Sequence, residues 1–157
     1  MQTDDDLIVK ASRLGISLNG VYTKDTLPAI KQGGYIINLQ DDYDSSGVNL
    51  HGTHWTAVYV EKQGSKYEVS YFDSFGLPPP SDVQIWLYEY QPYPYSNIQI
   101  QNEQSGFCGD YCLYYLWFME HNKKKRSLSD RMYQFQDLWS NDVEDNLRLL
   151  KRYLKNL

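Results

Sequence analysis

Residues 107–121, FCGDYCLYYLWFMEH, form the longest apolar run of the sequence and demand a buried position. The run is too apolar for a surface position, and its length favours a largely buried helix, although its aromatics would also tolerate a strand. It ends at the basic tetrad KKKR, and a polar, glycine-bearing stretch, QNEQSG, precedes it. A helix buried on most sides needs other elements around it, so the rest of the chain has to supply a core. The run also holds the only two cysteines of the sequence, Cys108 and Cys112.

The surroundings suit that task. HWTAVYVE and KYEVSYFD are rich in β-branched and aromatic residues and flank KQGS, the best hairpin signal in the chain. GGYIINLQ reads as a buried strand, and SNIQIQ as a short one with clean alternation. NGVYTKDTLP reads as a turn-rich connection, DDYDSSGVNLHG as a surface loop, and FGLPPPSD as an extended link that three prolines keep out of helix and central strand. Helices are expected over DDDLIVKASRLG with a stop at Gly15, over DVQIWLYEY from Ser81 or Asp82, and over the last two segments. Those two carry capping residues at Ser127 or Ser129 and at Ser140 or Asn141. Val143, Leu147, Leu150 and Leu154 give the final helix an apolar stripe. Strands in the middle and helices at both ends predict a single α+β domain over residues 1–157.

The net charge is −5, so no global basic field marks an obligate nucleic-acid binder. Fifteen tyrosines and four tryptophans argue for a packed core and against disorder. No stretch reaches a membrane span and the start lacks a signal peptide, so a soluble, intracellular, non-secreted protein is expected. Lys123, Lys124, Lys125 and Arg126 offer a local nucleic-acid contact, although a solvated helix end is the commoner meaning of such a run.

The two thiols invite several readings. A zinc site would need four ligands, and beyond the cysteines only His51, His54 and His121 are soft partners; no C-x2-C half accompanies them. A disulfide is at its geometric limit at helical i, i+4 spacing. Cys112 is best read as a small core residue. Cys108 stands where a polar loop becomes a helix, and there the unpaired backbone N–H groups and the dipole favour a thiolate. Gly106 and Gly109 would let the backbone approach a substrate.

A reactive thiolate needs a base with an orienting group behind it. His54 in GTHW opens a predicted strand and is the candidate, with His51 as competitor; His121, beside KKKR, reads as a helix C-terminal residue. Asp73 in YFDSFG ends the strand that pairs with the His54 strand, so the two lie at one end of the hairpin. Gln101 could donate to an oxyanion, with Gln104 a weaker substitute.

The order His, acid, Gln, Cys, carried by GTHW, FDSFG and QNEQSGFCGDYC, resembles the adenovirus maturation protease family (adenain) and, more distantly, the proteases specific for small ubiquitin-like modifiers. The last motif reads Q-x6-C-G-x-[FY]-C, with Gln101 seven before the cysteine as in adenain rather than six. Asp73 stands where adenain usually has Glu. The likeness covers roughly residues 7–120 and fades over the last two helices.

The resemblance implies a papain-like or adenain-like cysteine protease fold, a central mixed or antiparallel sheet flanked by helices with the nucleophile at a helix N-terminus. It further implies Cys108 as nucleophile, His54 as general base and acid, Asp73 as its orienting partner, and Gln101 with the Cys108 N–H as oxyanion hole. Trp55 would wall the substrate groove. Cleavage after small residues, at Gly-Gly or Gly-X sites, would mature viral capsid precursors in the virion or infected cell. The same fold also accommodates an isopeptidase for ubiquitin-like conjugates, and a non-catalytic binding module is a third class. No cofactor is required. DNA or a peptide stimulates adenain; a disulfide-linked peptide lacks an obvious anchor here, since no third cysteine exists.

Overall fold

The computed structural model describes residues 2–39, 54–102, 105–122 and 126–157. Its centre is a four-stranded mixed sheet, β1 (Leu18–Thr23), β2 (Gly33–Asn38), β3 (Trp55–Gln63) and β4 (Lys66–Phe72), in spatial order β1-β2-β3-β4. β1 runs parallel to β2, and the other neighbours are antiparallel. Both faces are covered, so β2 and the first seven residues of β3 are buried throughout and mostly apolar, with Asn38, Thr56 and Glu61 the polar exceptions. Alternate residues serve two cores. Ile36, Ala57, Tyr59 and Phe72 face the larger one, and Tyr35, Ile37, Val58, Val60, Val69 and Tyr71 face the smaller.

α1 (Asp4–Arg13) begins with a capping box from Thr3 and Asp6 and ends before Gly15, whose φ of 72° suits glycine. α3 (Cys108–His121) lies across the larger core with eleven of its residues buried, as its apolar length predicts. Each fully buried Leu or Met there contributes roughly 1.5–3 kcal/mol. α4 (Leu128–Asp137) and α5 (Val143–Lys155) pack on α3. The smaller core is closed by α2 (Ser81–Trp86) through Val83 and by Leu87 directly after it.

The hairpin is tighter than KQGS suggested. β3 pairs as far as Gln63 with Lys66, leaving Gly64 and Ser65 as a two-residue turn with Gly64 at φ 64°. Three expectations are corrected. Residues 18–23 are a strand rather than a connection; as a half-exposed edge with a register irregularity between Leu18 and Gly20, they lack a strong apolar signal. SNIQIQ forms no strand, because β4 ends at Phe72 and the segment runs beside a turn; Ile98 is exposed while Ile100 is buried. α4 is capped by Ser127 as expected, but α5 is capped by Asp142, whose carboxylate accepts from Glu144 N.

Candidate active site

The hairpin brings His54 and Asp73 to one end. His54 directly precedes β3, Asp73 directly follows β4, and His54 Nε2 lies 2.8 Å from Asp73 Oδ1. Asp73 is buried, and every group around it restrains it. The same Oδ1 accepts from Phe75 N at 2.8 Å, while the Ser96 hydroxyl accepts from Asp73 N (2.8 Å) and donates to Asp73 O (3.0 Å). The Gly76 N–H closes the turn onto Asp73 O. Phe75 stacks on the imidazole.

With Nε2 on the carboxylate, Nδ1 is the free ring nitrogen, and it is buried without a hydrogen-bond partner of ordinary geometry among the described residues. Burial works against the imidazolium. The hydrogen bond to Asp73, then the neighbouring Cys108 side chain and the charges of both groups, outweigh it and raise the His54 pKa to about 9. Cys108 is thus in electrostatic contact with the His54–Asp73 pair.

Cys108 is buried at the first position of α3, and no side chain caps that end of the helix. That position sets the residue at the positive end of the α3 dipole, where no side-chain oxygen caps the helix. Cys112, one turn on, is a different environment. It is wholly buried, burial pushes its thiol well up, and its Sγ donates to Trp55 O at 3.3 Å. It packs as expected and also ties α3 to the residue after His54. Both cysteines are free thiols.

Gln101 is buried beside this centre, its backbone N–H on Ser74 O, its Oε1 accepting from the Ser74 hydroxyl, and its Nε2 donating to Ser105 O at 2.9 Å. Trp55 is only 4% exposed and belongs to the larger core. Gly106 is exposed with open space around it, whereas a Cβ on Gly109 would meet Gln2 Oε1 at 2.4 Å and Leu7 Cδ2 at 2.7 Å. Packing of the N-terminal segment thus explains the second glycine. Asp110 in the same turn accepts from Gln2 Nε2 (2.8 Å) and Lys10 Nζ (3.1 Å).

His51, Gln104 and Lys123, Lys124 and Lys125 lie outside the described residues; Arg126 is exposed. His121 sits in the last turn of α3, stacked on Trp117, as its sequence position suggests. Sequence reasoning missed Ser74, Ser96 and Asn146. Asn146, buried on α5, donates to Ile100 O at 3.0 Å and so fixes the residue before Gln101. Its only signal was a polar residue beside an apolar stripe. The two serines carried none, since their partners are distant in sequence.

No protein-family model matches the chain. The SUMO-1 cysteine protease of African swine fever virus (Pretoriuskop tick isolate) is 30% identical over 76 residues, 41% of this chain and 28% of that protein. The cysteine protease of the Badajoz strain of the same virus matches to the same extent. The match thus spans little more than a quarter of the curated relatives' length. The crystal structure of the pS273R protease of that virus aligns with 66% of this chain and 40% of its own, at 25% identity and a TM-score of 0.38. AvrA, solved with IP6 and CoA, aligns with 90% of this chain and 53% of its own at 15% identity and a TM-score of 0.50, a likeness of fold that agrees with the expected α+β architecture. The chain is a distant homologue of the African swine fever virus cysteine protease.

Proposed function

We propose that this chain is a cysteine peptidase in which Cys108, His54 and Asp73 act together. The observation that carries the proposal is the 2.8 Å contact of His54 Nε2 with buried Asp73, made by a histidine whose proton affinity Cys108 also raises. The Cys108 thiolate attacks the scissile carbonyl carbon, and the carbonyl electrons move onto oxygen. The Cys108 N–H and the Gln101 amide receive that charge; Gln101 is buried, so substrate has to open its cover. His54 gives its proton to the departing amine as the C–N bond breaks, leaving an acyl-thioester. Water then loses a proton to His54 and attacks, the C–S bond breaks, and the acid and thiolate are released.

Cleavage falls after small residues, at Gly-Gly or Gly-X sites, and viral structural precursors are the substrates; the motif resemblance and the viral homologue support this. A second reading, removal of ubiquitin-like proteins, is favoured by the viral homologue, a SUMO-1 cysteine protease. Turnover of a fluorogenic Gly-Gly peptide alongside a C-terminal fluorogenic SUMO-1 tests both. Fast cleavage of the peptide alone supports precursor processing, and fast cleavage of the SUMO-1 substrate supports deconjugation. A wild-type chain that turns over neither, with a Cys108 that alkylates no faster than Cys112, rejects peptidase function.

A further inference from the structure

Asp73 and Gln101 lie far apart in the chain, yet the turn that follows β4 holds both. Ser74 stands between them and is wholly buried. Its carbonyl accepts from Ile100 N at 2.9 Å and Gln101 N at 3.1 Å, and its hydroxyl bonds to Gln101 Oε1. The sense of that last bond follows from the other end of the amide. Gln101 Nε2 lies 2.9 Å from the Ser105 carbonyl, which can only accept. The amide nitrogen therefore faces Ser105, the amide oxygen faces Ser74, and the Ser74 hydroxyl is the donor. Among the described residues Ser105 O is the one acceptor for Nε2, so one of its two hydrogens is left for another partner.

Building on the peptidase function proposed above, we infer that Ser74 is a positioning residue that acts through Gln101. Its hydroxyl fixes the amide that receives oxyanion charge, and through Ser105 it steadies the loop leading into Cys108. Because Ser74 directly follows Asp73, one buried turn orients the imidazole and the oxyanion donor together. Without the hydroxyl, Gln101 Oε1 is buried with no donor, and the amide loses the contact that distinguishes its two ends.

The test uses the full chain and two readouts. Turnover of a fluorogenic Gly-Gly peptide needs the oxyanion donor, whereas alkylation of Cys108 by iodoacetamide needs only the thiolate. Ser74→Ala is expected to lower kcat by about 10- to 100-fold, no more than loss of an oxyanion donor itself, with KM within about twofold. Its alkylation rate stays within about twofold of wild type, and Ser74→Thr, which keeps the hydroxyl, recovers most of kcat. In a Gln101→Ala background, Ser74→Ala has little further effect, because one device cannot be lost twice. Wild-type kcat in Ser74→Ala overturns the inference. So does an equal fall in turnover and alkylation that Ser74→Thr does not rescue, or losses at the two positions that multiply. Cys108→Ala separates the levels: if it still turns over substrate, the peptidase function fails, whereas an inactive Cys108→Ala beside a fully active Ser74→Ala rejects only the role of Ser74.

Discussion

Phe75 lies flat on His54, with ring centroids 4.2 Å apart and planes 6° from parallel. The register of the hairpin brings them together, since β3 and β4 pair Ala57 with Phe72 and the next residues outward converge. The stack holds the ring while Asp73 takes Nε2. Phe75→Ala should therefore lower kcat about 10-fold with little change in KM, because a freed imidazole spends less time aligned. Phe75→Tyr should retain most activity. Steady-state kinetics on a Gly-Gly peptide check both, and unaltered kcat in Phe75→Ala would show that Asp73 alone orients the ring.

The raised pKa of His54 has a signed consequence for stability. The folded chain holds this proton up to about pH 9, whereas an unfolded histidine releases it near 6.5. The stabilisation is therefore complete below about pH 6.5 and is lost as pH rises through about 9. Urea midpoints should fall across that window, and His54→Ala should flatten the decline. Asp73→Asn removes the main group that raises the pKa, so burial should pull it down. NMR titration of the imidazole measures that shift, and an unmoved midpoint would discount Asp73 as its cause.

The two thiols should separate chemically. Cys108 stands at an uncapped helix start in contact with His54, whereas Cys112 is sealed in the core with its thiol pushed well up. Iodoacetamide at neutral pH should modify Cys108 at least about 100-fold faster, since only thiolate reacts. Peptide mapping by mass spectrometry reads the ratio. Cys112→Ala should leave Cys108 reactive and cost stability through the small cavity and the lost contact to Trp55 O.

Arg131 and Glu61 form a buried pair, Nη2 to Oε2 at 2.5 Å, and Arg131 Nη1 also donates to Met119 O at 2.7 Å. Breaking it on one side leaves an uncompensated charge, so Arg131→Met should destabilise the fold by about 3–5 kcal/mol. Arg131→Met combined with Glu61→Leu should recover much of that loss. Chemical denaturation tests the pair, and additive single losses would argue against coupling.

Gly109→Ala should destabilise by about 1–3 kcal/mol, because the new methyl group meets Leu7 and Gln2 where α1 approaches α3. Gly106→Ala, with open space at its Cβ, should be close to neutral in stability. The same two variants assayed for KM test whether Gly106 bears on substrate. A thermal midpoint for Gly109→Ala equal to wild type would mean that α1 yields without cost.

Much of this site was legible because its signals are local. A fifteen-residue apolar run forces a buried helix, an alternating pair of runs about a glycine turn forces a hairpin, and these place Cys108, His54 and Asp73 at element ends. Strand β1 and segment 96–101 were not legible. One is a half-exposed edge that tolerates polar residues, and the other alternates in sequence but takes its hydrogen bonds from a turn and from side chains. Gln101 was found as a donor candidate, but its neighbours Ser74, Ser105 and Asn146 were not, since hydroxyl and amide groups give no periodic pattern.

Local pattern was enough to give the α+β class, the buried α3 and the end of the hairpin at which imidazole and carboxylate meet, because periodicity and turn chemistry act over a few residues. Tertiary packing alone buries Trp55 in the larger core, leaves no room for a Cβ at Gly109, ties Cys112 to the strand beside His54 and joins Asp73 to Gln101 through Ser74. Those assignments depend on which buried polar group finds a partner across 27 or more residues of chain, as Ser74 does with Gln101. Close packing settles that choice, and no local pattern encodes it.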